Sequence, residues 1–168
     1  MTDLPHSHHL RLHRDMDMPG TWLVTKSLQP KRSVLLMSSS PAVIIDALSY
    51  CVEKSTVTIG AFVVMPDHWH VVLATNTLAN AMHSISTWVA TKTCKQLKMH
   101  GTQWQDSYHD TRVRSSRQLK FMCAYVEQNP VRKGHCTEPN QWPWSSANPA
   151  YDHLIARPWP WDFPGDHR

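Results

Sequence analysis

The sequence MPDHWHVVL, residues 65–73, contains two histidines separated by one bulky apolar residue. Apolar residues flank the pair on both sides, as is typical of a buried β-strand. Successive side chains of a strand point to opposite faces of a sheet, so His68 and His70 are predicted to share one face while Trp69 occupies the other. Two imidazoles on one face of a rigid strand can bind a single divalent metal ion.

The periodicity of the rest of the chain predicts a strand, a helix, two strands, a helix, a strand and a final helix. The expected strands cover residues 21–27, 56–64, 68–74 and 111–114, and the expected helices cover 40–54, 78–98 and 115–128. This order is that of a ferredoxin-like βαββαβ sandwich, an α+β fold with an antiparallel sheet, to which a C-terminal helix has been added. The first two helices would cover one sheet face and leave the opposite face open for a site.

The length of 168 residues indicates one domain. We expect this domain to span residues 19–146. Residues 1–18 are polar and rich in histidine; such a tract can bind metal, but a flexible terminus is expected. Residues 147–168 form a tail rich in Pro and Trp, which is expected to wrap around the domain or to remain partly disordered.

Composition narrows the class of protein. Seventeen Lys and Arg against thirteen Asp and Glu give a formal charge of +4, which is compatible with a polyanionic partner. Nothing approaches the length of a transmembrane segment, and the N-terminus is unlike a signal peptide. The four cysteines are widely spaced and form no CxxC pair, as expected for reduced thiols in the cytoplasm.

A histidine pair with this spacing arises often by chance in a chain with twelve histidines. A second group of candidate site residues supports the histidine pair. It lies near the end of the third predicted helix, where Tyr125 and Asn129 are four residues apart and should share one face. An amide oxygen at this position can ligate a metal. Two neutral imidazoles favour a borderline divalent ion, and oxygen ligands also permit Mg²⁺ or Mn²⁺.

Four blocks of the sequence, in order, resemble the REP-associated tyrosine transposases, which are domesticated relatives of the single-tyrosine HUH transposases of bacterial insertion sequences. The blocks are MPDHWHVVL at 65–73, WQDSYHDTRVR at 104–114, YVEQNPVRKGH at 125–135 and WPWSS at 142–146. The resemblance covers residues 20–146 and therefore almost all of the expected domain.

The resemblance implies a role for each member of the site. His68 and His70 match the pair that holds the catalytic divalent metal, and Tyr125 matches the nucleophile. Asn129 matches a third metal-facing position, which is Gln in insertion-sequence relatives. The family cuts single-stranded DNA beside a hairpin and leaves a 5′-phosphotyrosine and a free 3′-hydroxyl. A free phenol has a pKa of about 10, so its attack on a phosphate needs assistance, which the metal ion can supply.

Further residues in these blocks are candidates for contact with DNA. Arg112, Arg114, Arg132 and Lys133 are predicted to contact phosphates, with a solvated surface charge as the alternative for each. Trp104 is a candidate for stacking on an unpaired base, with packing in the core as its alternative.

The expected function is that of a metal-dependent single-stranded DNA endonuclease and strand transferase acting on hairpin-forming repetitive extragenic palindromes. Two alternatives remain: a module that binds hairpin DNA without cutting it, and a metal-dependent phosphodiesterase that uses water as the nucleophile. We expect a monomer, although insertion-sequence relatives form homodimers that exchange their tyrosine helices.

Overall fold

The computed structural model describes residues 18–28, 40–97, 104–105 and 107–163. The prediction for the N-terminal segment therefore lies almost wholly outside the described residues, as does residue 98 at the predicted end of the second helix. The strands are β1 (Gly20–Ser27), β2 (Thr58–Val64), β3 (His68–Thr75) and β4 (His109–Val113); the helices are α1 (Ser40–Glu53), α2 (Leu78–Leu97), α3 (Ser116–Glu127) and α4 (Asn129–Arg132).

The four strands form one antiparallel sheet in the order β2-β3-β1-β4. This order and direction confirm the predicted ferredoxin-like arrangement. The strand β3 occupies a central position, and its His70 is paired with Thr25 of β1 and with Val63 of β2. Directly paired residues project to the same face, so these three side chains lie in one row across the sheet.

One face of the sheet packs against α1 and α2, as predicted. Trp69, Val71 and Leu73 project from β3 into this core, and each is at most 2% exposed. The buried helical residues that meet them include Val43, Ile44, Ala47, Leu48, Cys51, Met82, Ile85 and Val89. The alternation of the strand therefore directs Trp69 into the core and both histidines to the other side.

The second face is not open over β2 and β3, which corrects the expectation of an uncovered face. The helix α3 lies there and buries Leu119, Met122 and Val126 against the sheet. Its amphipathic pattern requires an apolar surface to cover, and the valines and alanines that β2 and β3 present on this side supply one. A site on this face therefore lies between the sheet and α3.

The segment after α4 follows the outer edge of β2. Val64 donates its backbone N–H to the carbonyl of Trp144 at 2.8 Å, and the indole N–H of Trp142 donates to the carbonyl of Val64 at 2.9 Å. Further along, Ala156 donates to the carbonyl of Ile59 at 2.9 Å. These bonds occupy backbone groups that an edge strand would otherwise leave open to another chain. No helix among the described residues is long and apolar enough to cross a membrane.

Candidate active site

His68 and His70 lie side by side on β3 with their ring centroids 4.6 Å apart. The side chain of His70 is 6% exposed. His68 is nearer to solvent, with 16% of its side chain exposed. Because both rings emerge from alternate positions of a central strand, their separation is set by the backbone of the sheet.

Each histidine has a hydrogen-bond partner on Nδ1. The Nδ1 atom of His68 lies 2.5 Å from Oδ1 of Asp67, and Nδ1 of His70 lies 2.7 Å from Oγ1 of Thr25. With Nδ1 engaged, Nε2 is the remaining nitrogen of each ring. Metal-binding histidines are commonly oriented in this way, by a carboxylate or another oxygen on the nitrogen opposite the metal.

The surroundings of the pair favour neutral imidazole at His70. Burial lowers the pKa of His70 to about 4, and repulsion from His68 adds to the shift while attraction to Asp67 partly opposes it. Burial raises the pKa of Asp67, but the hydrogen bond and the charge attraction of His68 outweigh burial, so the net pKa of this carboxyl is lowered. A neutral imidazole beside a carboxylate is the protonation state that metal ligation requires.

Tyr125 faces this pair from α3. Its ring centroid lies 5.8 Å from that of His70, and its side chain is half-buried rather than in the core. The helix begins as predicted, because the hydroxyl oxygen of Ser115 accepts a hydrogen bond from the backbone N–H of Gln118 at 3.2 Å. The guanidinium carbon of Arg132 lies 5.1 Å from the Tyr125 ring centroid and brings a positive charge to the site.

Asn129 departs from the prediction that it shares a continuous helix with Tyr125. The helix α3 ends at Glu127, and Asn129 begins the short helix α4. Pro130 explains the break, because proline has no N–H with which to continue the hydrogen-bonding pattern of α3. Asn129 is nevertheless 5% exposed, and its Oδ1 atom has no hydrogen-bond partner among the described residues.

The donor set fits a divalent cation. A buried acceptor without a partner costs free energy, and a cation offsets this cost. The described residues contain no group of three His, Cys, Asp or Glu that could hold a metal ion, so the histidine pair needs a ligand of another kind. The unsatisfied amide oxygen of Asn129 supplies the chemistry of such a ligand.

The structure separates the predicted DNA-contacting residues. The charge of Lys133 helps to lower the pKa of Asp67, and Arg132 lies over the ring of Tyr125, so both positive charges act on the site. Arg112 is paired with Trp22, whose side chain lies in the core under α1 and α2. Arg112 therefore leaves the sheet on the face opposite to the histidines, and exposed Arg114 follows the end of the same strand.

Trp104 does not have the surface that base stacking requires. It is 4% exposed and packs edge-on to Trp69, with ring centroids 6.4 Å apart. The prediction of a stacking role is therefore wrong, and the packing alternative is correct. An isolated Trp in a loop carries no sequence signal that distinguishes the two roles.

Two partners in the site were missed by sequence reasoning. The sequence pattern assigns no role in the site to Thr25, from the first strand, or to Asp67, just before the third. The contact of Thr25 with His70 joins residues 45 positions apart and follows from the strand register. The proximity of Asp67 to His68 in sequence was the available signal for the second contact.

Tyr125 on α3 and the histidine pair on β3 face each other on one side of the antiparallel sheet, an arrangement that fits a tyrosine transposase, a DNA-nicking transesterase. The chain belongs to the IS200-like transposase family, because the family model described as "Transposase IS200 like" matches residues 29–129, more than half of the sequence. The family membership confirms the relationship inferred from the four sequence blocks.

Two relatives agree with this assignment. The chain is 26% identical over 156 residues to the REP-associated tyrosine transposase of Escherichia coli (strain K12), covering 88% of this chain and 86% of the relative. It also superposes on a REP-associated tyrosine transposase solved bound to a REP hairpin, with a TM-score of 0.68 and 23% identity over 89% of this chain and 90% of the relative. The second likeness shows a common fold.

Proposed function

We propose that this transposase nicks and rejoins single-stranded DNA through a covalent bond to Tyr125, with a divalent metal ion, Mg²⁺ or Mn²⁺, bound at the histidine pair. The observation that carries the proposal is the position of Tyr125 opposite His70, with 5.8 Å between ring centroids. The proposed nucleophile and the proposed metal ligands thus come from separate parts of the chain and lie close together.

His68 and His70 would hold the ion through Nε2, and Asn129 through its unsatisfied Oδ1 atom. When bound, the ion polarises the scissile phosphate and offsets the negative charge that accumulates in the transition state. Asp67 and Thr25 orient the two rings by holding Nδ1 of each.

The chemistry of Tyr125 is a transesterification. Its hydroxyl oxygen attacks phosphorus, the bond between phosphorus and the 3′-oxygen breaks, and the phenolic proton is lost while the leaving 3′-oxygen gains one. The product is a 5′-phosphotyrosine and a free 3′-hydroxyl. Attack by a 3′-hydroxyl on the phosphotyrosine reverses the step, so the energy of the phosphodiester bond is kept and no ATP is needed.

The proposed substrate is the single-stranded foot of a hairpin formed by a repetitive extragenic palindrome. The solved relative was bound to a REP hairpin. Arg132, over the Tyr125 ring, and Lys133, whose charge acts on Asp67, would supply positive charge to the phosphates that flank the scissile bond. Tyr125 and His70 come from one chain, which supports a monomer as the active form. An enzyme that acts on chromosomal repeats would work in the cytosol.

A denaturing gel of labelled hairpin DNA incubated with Mn²⁺ or Mg²⁺ tests the proposal. A protein-linked DNA band that is lost in Tyr125→Phe and kept in Tyr50→Phe is the expected result. Tyr50 is a matched control because it is exposed on α1, in the layer on the opposite sheet face, where it stacks on Trp88.

The alternatives predict other outcomes. Cleavage that persists in Tyr125→Phe would identify water as the nucleophile and overturn the proposal. Binding of the hairpin without cleavage under either metal would identify a binding module.

A further inference from the structure

A second cleft lies at the far rim of the sheet from the histidine pair. Its volume is about 490 Å³, and it is lined by the start of β1, the end of β4 and residues 161–163. Thr21 and Val113, which are paired in the sheet, are among its lining residues. Thr21 is four residues from Thr25, so it lies about 13 Å along β1 from the row that contains His70 and projects to the same face.

Two arginines give the cleft its positive charge. Arg114 is exposed at the end of β4, and no side-chain partner for it exists within the part of the chain that the structure describes. Arg112 leaves β4 on the other face of the sheet, where its guanidinium carbon lies 5.8 Å from the Trp22 ring centroid, and at the rim of the cleft its Nη2 donates to the carbonyl of Pro19 at 3.3 Å. A guanidinium group has five donors, so Arg114 can bind a phosphate at this rim, and Arg112 adds positive charge beside it.

The opposite wall has the chemistry of a base-binding surface. Trp161 is half-buried, so part of its indole ring is accessible, and Phe163 beside it is 6% exposed and anchors the wall in the core below α3. Asp162 lies between them with its side chain exposed. An indole can stack on any base, whereas a carboxylate accepts a hydrogen bond from an exocyclic amino group.

We infer that this cleft binds one unpaired nucleotide of the single-stranded DNA, with its phosphate on Arg114 and its base against Trp161. Asp162 selects a base with an exocyclic amino group and disfavours thymine, which has none. The inference rests on the proposed function, since the nucleotide belongs to the strand whose scissile phosphate lies at Tyr125.

The negative charge of Asp162 argues against a simple anion site. A site for free phosphate gains nothing from a carboxylate, whereas a nucleotide site gains an acceptor for the base. The position of the cleft, on the face and strand that also carry Thr25, allows one DNA strand to reach both places.

Fluorescence anisotropy with labelled single strands of dC and dT, equal in length, tests the inference at fixed salt. Trp161→Ala is expected to weaken binding of the dC strand about 5- to 150-fold, the range for loss of one stacked base, and Arg114→Gln is expected to weaken it through loss of a phosphate contact. Asp162→Asn is expected to reduce the preference for dC over dT several-fold. Lys95→Ala, which removes an exposed charge from α2 on the other face of the sheet, is the control for a general loss of charge.

Binding by Arg114→Gln and Asp162→Asn that matches that of Lys95→Ala would overturn the inference, and these surface changes leave the core intact even if Trp161→Ala does not fold. The nicking assay separates failure of the cleft inference from failure of the proposed function. If the wild-type protein forms the Tyr125-linked product while the cleft variants bind DNA as the wild type does, the cleft inference alone fails. If no linked product forms at all, the proposed function fails.

Discussion

Ser146 donates a hydrogen bond from its hydroxyl group to a carboxylate oxygen of Glu127 at 2.9 Å. The same hydroxyl oxygen accepts from the backbone N–H of Phe62 at 3.0 Å, so one buried side chain joins β2 to α3. Glu127 is two residues from Tyr125. The position of the tyrosine helix over the histidines therefore depends on a segment that enters the structure after the helix has ended.

Substitution of Ser146 by alanine tests this connection. The change leaves the buried N–H of Phe62 without its side-chain acceptor and removes the bond to Glu127, so we expect a loss of about 1–3 kcal/mol in the free energy of unfolding. Urea unfolding measures it. Ser49→Ala is the control, because Ser49 makes only a 3.5 Å contact with Glu53 on the surface of α1 and should change stability little. Equal stability of the two variants would refute a structural role for Ser146.

Gly60 allows α3 and the C-terminal segment to approach β2 closely. A Cβ atom at this position would lie 3.2 Å from Sγ of Cys123 and 3.2 Å from a ring carbon of Trp159. We expect Gly60→Ala to destabilise the fold by about 1–3 kcal/mol through overpacking, and to slow nicking by shifting α3. The double variant Gly60→Ala with Cys123→Ala removes one of the two contacts. Adding Gly60→Ala should therefore lower the thermal midpoint less in the Cys123→Ala background than in the wild type. Equal losses in the two backgrounds would contradict the explanation.

Thr25 is predicted to control metal affinity from behind His70. Replacement by valine keeps the shape of the side chain and removes the oxygen that lies 2.7 Å from Nδ1. Loss of such an outer-shell partner typically costs about 10- to 100-fold in metal affinity, and calorimetric titration with Mn²⁺ measures it. Thr111→Val, at an exposed position of β4, should bind Mn²⁺ as the wild type does. A Thr25→Val protein with unchanged affinity would exclude this role.

Asn129 should oppose stability without metal and support it with metal. In Asn129→Leu the buried oxygen that lacks a partner is replaced by an apolar group, so the metal-free protein is expected to be as stable as the wild type or more so. The increase in melting temperature on adding Mn²⁺ should shrink in the same variant, because a ligand has been lost. A large loss of metal-free stability, or an unchanged response to Mn²⁺, would show that this oxygen is not a metal ligand.

The burial of His70 predicts a dependence of stability on acid in the metal-free protein. The pKa of His70 is lowered from 6.5 in the unfolded chain to about 4 in the fold, so between these pH values the unfolded chain binds more protons. The free energy of unfolding keeps the full contribution of neutral His70 above pH 6.5. It falls by about 3 kcal/mol as the pH drops through this window to about 4. Urea unfolding at several pH values should show that His70→Gln loses less free energy of unfolding at acid pH than the wild type. Parallel profiles would contradict the prediction.

The order and faces of the main elements were predictable from the sequence because they follow from local patterns. The alternation around Trp69 correctly divided β3 into a core side and a histidine side. Ser115 marked the start of α3, and its cap is present. In each case the physical cause lies within a few residues, where side-chain periodicity and capping chemistry act directly.

Several features were not predictable in this way. The predicted end of the third helix at residue 128 lies within one residue of its observed end at Glu127, but the pattern did not show that Asn129 begins a separate short helix, α4. The core position of Trp104 depends on Trp69, which lies 35 positions earlier in the chain. The separation of Arg112 from the histidines required the register of β4 against β1.

The sequence by itself determined the histidine pair, its shared face and the tyrosine-bearing helix, because the periods of strands and helices encode which side chains lie together. Only the tertiary structure decided that Tyr125 faces His70, that Thr25 contacts the ring of His70 and that Ser146 links α3 to β2. These contacts join residues from 19 to 55 positions apart. Their formation depends on sheet register and on the burial of α3 against the sheet, which no local pattern specifies.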